Sequence, residues 1–223
     1  MHQQISKRII IYLFIFLFLG TLNNKNFLLL SFEKDNYFEI KDLSETKNDE
    51  IIQELSKLNT ENLFILKKDE VSETIKSHKI VERFFAFKNY PSNLNIKIEK
   101  TKFLAITKKN SLDYYVGTNG NLIKVENIKE DLPFIFGDVD VLEFLKLKNI
   151  IDNSSFDYSQ IKKFYYFKSK RWDIETKDGL LINLPSKNLN NSFKILLRIQ
   201  KNNDFNDYRN IDLRQQNQII VNG

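Results

Sequence analysis

Cysteine is absent from the 223-residue chain, and that one absence excludes disulfides, thiolate zinc sites and cysteine nucleophiles together. It leaves the compartment open, since extracytoplasmic and cytoplasmic bacterial domains alike can do without cysteine. Histidine is almost as scarce, with only His2 and His78, and no His-x-x-x-His, Cys-x-x-Cys or calcium-loop pattern occurs. His78 falls on the apolar stripe of a predicted helix and reads as a packing or boundary residue, without the partners that catalysis requires. Phosphate-cradling loops need clustered glycines, and the six glycines here are widely spaced. Asp138, Asp140 and Asp173 would form an acid/base couple only if the fold paired them, and such carboxylates are usually solvated or cap helices. The sequence offers no catalytic residue, no metal site and no cofactor site. It reads as a binder.

Acids are missing from the first 32 positions, where Lys7, Arg8 and Lys25 stand alone. Much of the formal charge of +5 sits there, because the remaining 31 of the 34 cations face 29 acids over the rest of the chain. Lysines are scattered among Glu and Asp without forming a stripe, which argues against nucleic acid as a partner. Hydrophobic residues at 42% and aromatics at 13% exceed what a disordered chain carries, so the bulk of the chain should fold.

Residues 9–22 carry no charge, and Ile9 to Leu19 are eleven successive large apolar residues. That run predicts a membrane anchor with its core over 9–22, led by Ile9, Leu13, Phe16, Leu19 and Leu22, behind a cytoplasmic tail of residues 1–8. Fourteen residues reach only about 21 Å, short of the roughly 30 Å hydrocarbon layer, so the expected span continues through Phe27–Leu30 with Lys25 snorkelling. A cleaved signal peptide is the competing reading, but no Ala-x-Ala-like pair lies after the apolar core. Either way Lys7 and Arg8 hold the N-terminus inside and place the rest of the chain, beyond about residue 33, outside the cytoplasm, by the positive-inside rule.

Beyond Phe32 the pattern predicts an α+β protein. Phe38–Leu43 alternates as a strand; Asp49–Leu58 puts Ile51, Ile52, Leu55 and Leu58 on one helical face behind an approximate capping box at Thr46; Lys67–Lys79 is a second helix. Strands over Ile80–Phe87 and Leu94–Lys100 flank the turn chemistry of Tyr90-Pro91-Ser92-Asn93. This β-α-α-β-β order predicts a three-stranded sheet with both helices on one face over 38–107. Residues 108–223 predict a mainly antiparallel β domain with short helices. Asn119-Gly120 and Asp178-Gly179 mark hairpins, and helical stretches are expected at Asp138–Ile151, Ser155–Gln160 and Leu189–Gln200. Gln218–Val221 is a short terminal strand.

Five strings in order resemble the FtsQ/DivIB family of bacterial cell-division proteins, whose extracytoplasmic part is a POTRA domain and then a β domain. They are Phe84 to Ile98 with Tyr90-Pro91 and Leu94-x-Ile96-x-Ile98; Val116-Gly117-Thr118-Asn119-Gly120; Leu132-Pro133-x-Ile135-x-Gly137; Trp172-x-Ile174-x-Thr176-x-Asp178-Gly179; and Ile211-Asp212-Leu213-Arg214. The resemblance implies a single-pass inner-membrane scaffold at the division septum, with its C-terminal domain in the periplasm, linking early and late divisome proteins. It implies binding to FtsB/FtsL-type partners through the C-terminal part. The residues it points to are Lys170, Arg171, Arg214, Gln215, Gln216, Asn217, Gln218, Ile219, Ile220 and Val221, with strand addition at the last strand as the physical means. Here Gln215-Gln216 stands where the family often has an aromatic after the arginine. Trp172 reads as core before interface. A POTRA-containing outer-membrane assembly or secretion factor is the alternative.

Overall fold

The computed structural model describes residues 7–22, 38–41, 45–58, 63, 66–90, 93–125, 128, 130–202, 208–215 and 218–222. Helix α1 (Lys7–Leu22) opens the chain, and the side chains of Ile9 through Leu19 are 48–78% exposed. None of them belongs to a buried cluster of the described residues. At 16 residues α1 is about 24 Å long. Among the described residues, no helix is long and apolar enough to cross a membrane. Phe27–Leu30, which the expected span borrows, lies outside the described residues, as does the side chain of Leu22.

Strand β1 (Phe38–Lys41), helices α2 (Glu45–Ser56) and α3 (Lys68–Ser77), and strands β2 (Val81–Asn89) and β3 (Asn93–Lys100) form the expected β-α-α-β-β module. Its sheet order is β1-β3-β2, with β1 parallel and β2 antiparallel to the central β3. Leu94, Ile96 and Ile98 alternate toward the helices and are buried against Ile51, Leu55, Val71 and Ile75. Each such side chain contributes roughly 1.5–3 kcal/mol by leaving water. Helix α2 begins at Glu45, so Thr46 lies in its first turn and not at a cap. His78 ends α3, with its Nε2 2.8 Å from Glu54 Oε2.

The second module is one nine-stranded sheet. Its strands are β4 (Phe103–Lys109), β5 (Leu112–Gly117), β6 (Leu122–Lys124), β7 (Phe134–Phe136), β8 (Ile161–Tyr166), β9 (Trp172–Thr176), β10 (Leu181–Asn183), β11 (Asn210–Asp212) and β12 (Ile220–Asn222). Helices α4 (Val141–Asp152) and α5 (Leu189–Asn202) are inserted after β7 and β10. The order across the sheet is β12-β11-β10-β9-β8-β7-β4-β5-β6. Five neighbour pairs are antiparallel, and β4/β7, β7/β8 and β10/β11 are parallel. Period-2 alternation sends Ala105, Val116, Ile135, Phe164, Ile174, Ile182 and Ile211 to one face, where α4 contributes Phe144, Leu147 and Ile151 and α5 contributes Phe193 and Leu196. Trp172 is 3% exposed, with edge-on Phe164 and tilted Phe144 beside it, so the core reading of this tryptophan is the observed one. Asp140 caps α4, its side chain accepting from Leu142 N at 2.9 Å, which is the ordinary structural role of such a carboxylate.

The sheet changes at Thr101-Lys102. Residues 103–107, which the sequence pattern assigns to the first module, pair within the larger sheet as β4. A hairpin that the sequence pattern does not separate joins β4 to β5 through Asn110 and Ser111, both with positive φ (49° and 63°), the conformation of a type I′ turn. The Thr118-Asn119-Gly120 hairpin turns back onto the first module. Asn119 Nδ2 donates to the carbonyls of Lys79 and Val81, both at 2.9 Å, and Thr118 Oγ1 donates to Glu82 Oε2 at 2.8 Å. Ile80 packs against the Ile106, Tyr115 and Ile123 cluster beside them.

Gly137 closes β7 with φ +103°, and a Cβ there would sit 2.2 Å from the Tyr166 carbonyl oxygen of β8. Gly137→Ala is expected to destabilise the chain by about 2 kcal/mol or more, from strain and forced backbone separation. A denaturant midpoint equal to wild type would show that β7 and β8 can part at no cost.

Candidate partner-binding edge

The last strand is an outer rim of the large sheet. Register carries a single row across four strands, Asp173 on β9 opposite Asn183 on β10, Asn183 opposite Asp212 on β11, and Asp212 opposite Ile220 on β12. Beyond β12 no further strand pairs among the described residues. Ile219, Ile220 and Val221 are 46%, 49% and 40% exposed. An unpaired rim of backbone N–H and C=O groups is a template for one more strand.

The row beside it is polar and buried. Asp173, Asn183 and Asp212 are all under one-tenth exposed, and Asp173 Oδ2 accepts from Asn183 Nδ2 at 2.8 Å. Arg214 folds back onto Asp212: its Nε lies 2.8 and 2.9 Å from the two carboxylate oxygens, its backbone N–H donates to Oδ1 at 2.9 Å, and its Nη2 reaches Oδ2. Arg171 Nε lies 3.4 Å from Asp173 Oδ1, an ion pair without hydrogen-bond geometry, and its guanidinium stacks 4.4 Å from the Phe167 ring centroid. Arg171 also acts on Asp212, and Asp173 on Arg214, so two arginines 43 positions apart share one electrostatic cluster.

On the helix side of the same rim is a groove of about 590 Å³ between the β10–α5 loop, the first turns of α5 and the β11–β12 connection. Arg214, Gln215, Gln218 and Ile219 line it opposite Lys187 and Asn188, and among the described residues no acidic side chain does. The structure thus gathers Arg171, Arg214, Gln215, Gln218, Ile219, Ile220 and Val221 at one end of the sheet. Lys170, at φ 59°, occupies the β8–β9 turn next to Arg171. Gln216 and Asn217 lie outside the described residues. Sequence reasoning misses Asn183 and the α5 side of the groove. The only signal for Asn183 was a polar residue inside the apolar Leu180–Leu184 run, where burial demands a partner.

Two family models match the chain on either side of the change of sheet. The family model for the POTRA domain, FtsQ-type, matches residues 34–100, and that for the cell division protein FtsQ/DivIB, C-terminal, matches residues 105–214. The sequence is 25% identical over 175 residues to cell division protein FtsQ of Rickettsia bellii, covering 77% of this chain and 65% of that protein. It is 24% identical over 167 residues to cell division protein FtsQ of Bradyrhizobium diazoefficiens, covering 72% and 48%. The chain therefore spans less than two thirds of the length of these curated relatives. Among solved structures, the major extracytoplasmic domain of the trans isomer of DivIB from Geobacillus stearothermophilus superposes with a TM-score of 0.34 at 12% identity, over 48% of this chain and 99% of that one.

The Arg214 hydrogen bonds hold the Asp212 carboxyl below its ordinary range, against the opposing effect of burial. A folded pKa below the unfolded value of about 3.9 gives stability that is present above that pH and lost as pH falls through the folded value. Arg214→Gln should raise the Asp212 titration midpoint seen by carboxyl NMR, and its destabilisation relative to wild type should shrink below about pH 4. An unmoved midpoint would mean that Arg214 is not what keeps this carboxyl ionised.

Proposed function

The chain belongs to the FtsQ/DivIB family of cell division proteins, and from that membership we propose that it is a non-catalytic divisome scaffold. It binds FtsB/FtsL-type proteins by accepting a strand at β12. One observation carries the reading: among the described residues the final strand is an unpaired rim of the nine-stranded sheet, exposed on its side chains and bordered by a groove with cationic walls. Backbone pairing along β12 supplies affinity without demanding a particular partner sequence. Arg214, already ordered by Asp212, presents a cation with little further loss of side-chain freedom on binding. The groove walls Lys187 and Arg214 favour acidic side chains on that partner.

The N-terminal helix completes the proposal. Eleven large apolar side chains in succession, each roughly half exposed or more, form a surface that water does not tolerate on a folded protein, whereas a bilayer does. In this reading α1 is the core of a single-pass inner-membrane anchor. Lys7 and Arg8 stay on the cytoplasmic side, both sheets lie in the periplasm, and the protein works at the division septum. Assembly of the septum then uses this chain as a tether between proteins recruited earlier and later.

Two measurements test it. The full chain should co-purify with FtsB/FtsL-type extracytoplasmic segments, and Ile220→Lys should weaken that complex about tenfold or more, roughly 1.4 kcal/mol. The exposed site should leave stability within about 0.5 kcal/mol of wild type. Absence of a complex at micromolar concentration rejects the partner, while a complex indifferent to Ile220→Lys rejects the edge. Since the native chain has no cysteine, Lys170→Cys in intact cells reports topology by itself. It should react with a maleimide that crosses the outer but not the inner membrane. Labelling only after lysis would place the β domain in the cytoplasm.

A further inference from the structure

The first module has a free edge of its own. Strand β2 lies at the end of the β1-β3-β2 order, is nine residues long, and carries the uncharged run Phe84-Phe85-Ala86-Phe87 along that rim. Edges are normally blunted by lysine, proline, short length or cover. Among the described residues, this one is blunted only at its start, where a bulge falls between Val81 and Arg83 and Asn119 takes the Val81 carbonyl. Phe85 and Phe87 are 44% and 61% exposed, and their cross-strand neighbours on β3 are Lys97 and Asn95, which offer them little apolar cover. On the helix-facing side, Ala86 is too small to fill the space beside α3, leaving a groove of about 500 Å³ lined by Val71, Ser72, Phe84, Ala86 and Lys88.

We propose that β2 is a contact between two copies of this chain, the rims pairing antiparallel about Phe85. The segment from Arg83 to Phe87 is complementary to itself in that register. Phe85 meets Phe85 of the second copy. Phe84 meets Ala86, so a large ring enters the space that the small residue leaves open. Arg83 meets Phe87, a cation against an aromatic face. Shifting the register by one residue to either side sets Phe84 against Phe85 or Phe85 against Ala86. Strand parity then sends the rings of one copy to the face opposite their counterparts' groove. Lys88 does not interrupt the pair, because its Nζ is turned under the module to the carbonyls of Leu63 and Leu66 at 2.7 and 2.5 Å. Five paired residues make a weak contact, and two copies held in one bilayer by their anchors gain the effective concentration that such a contact needs. The β12 rim belongs to the other sheet, so the inference stands or falls separately from the partner reading.

A chain without cysteine makes the register readable. Across an antiparallel pair, Cα atoms at the two-fold position lie about 4.5–5.5 Å apart, within the about 4.4–6.8 Å that a disulfide spans. Two Phe87 positions would be four residues apart along the pair, about 13 Å. In the full chain reconstituted in lipid nanodiscs, Phe85→Cys should convert to covalent dimer under mild oxidant. Phe87→Cys should stay at the background of Lys97→Cys, and Arg83→Cys mixed with Phe87→Cys should cross-link. Added to Phe85→Cys, Phe87→Lys should abolish the cross-link by facing Arg83 of the second copy, and Phe87→Glu should preserve it. Both substitutions are on exposed positions, and unchanged thermal midpoints confirm that the fold survives. A monomeric Phe85→Cys, equal dimer at positions 85, 87 and 97, or identical behaviour of the lysine and glutamate variants overturns the proposal.

Discussion

An open β-sheet cannot satisfy all of its own backbone. Nine strands in the order β12 to β6 bury their interior hydrogen bonds and leave two rims whose N–H and C=O groups must pair with water or with another chain. The helices do not relieve this, since α4 and α5 cover one face of the sheet and not its ends. What holds the sheet is the apolar layer beneath them, where Phe144, Phe164 and Trp172 meet at centroid distances of 5.5 to 6.2 Å. Removing any of these rings would leave a cavity that rigid strands close poorly. The rim at β12 therefore projects from a packed sheet.

The opposite face of the sheet carries polar and aromatic side chains in ordered rows. Phe136 stacks on Tyr165, and the Tyr165 hydroxyl and Lys163 ammonium both donate to Glu175, which lies below its ordinary carboxylate range for that reason. Toward β12 the rows become Asp173, Asn183 and Asp212 under two arginines. These buried acids are tolerated because each has a hydrogen-bonding neighbour and a cation beside it. The result is a rim whose charges are held in place by the fold itself.

One turn latches the two modules together beside the Ile80 contact. Gly117 lets Asn119 and Thr101 approach so closely that a Cβ at 117 would lie 2.6 Å from Asn119 Oδ1 and 2.8 Å from Thr101 Oγ1. Asn119 then donates to two carbonyls of the first module. A side chain at position 117 would have to displace this latch. Much of this was hidden in the sequence. Asn119-Gly120 announced a hairpin, but nothing local showed that the asparagine amide would reach back some forty residues. Asn110-Ser111 is a weaker turn signal than Asn-Gly, and the hairpin it makes was not separated from the surrounding strand pattern.

By itself the sequence settled what depends on neighbours along the chain. It established the absence of catalytic, metal and phosphate-binding motifs, the apolar N-terminal run, the helical face of α2, the existence of α3 and α5, and the strand over Leu94, Ile96 and Ile98. These come from residue type and from periods of 3.6 and 2. Tertiary structure alone decided which strands are neighbours. It made three of the eight pairs in the large sheet parallel, placed β12 on a rim and not in the interior, and set Arg171 and Arg214 about one cluster of acids. Pairing between distant segments is chosen by the whole apolar layer at once, and no local window of sequence carries that information.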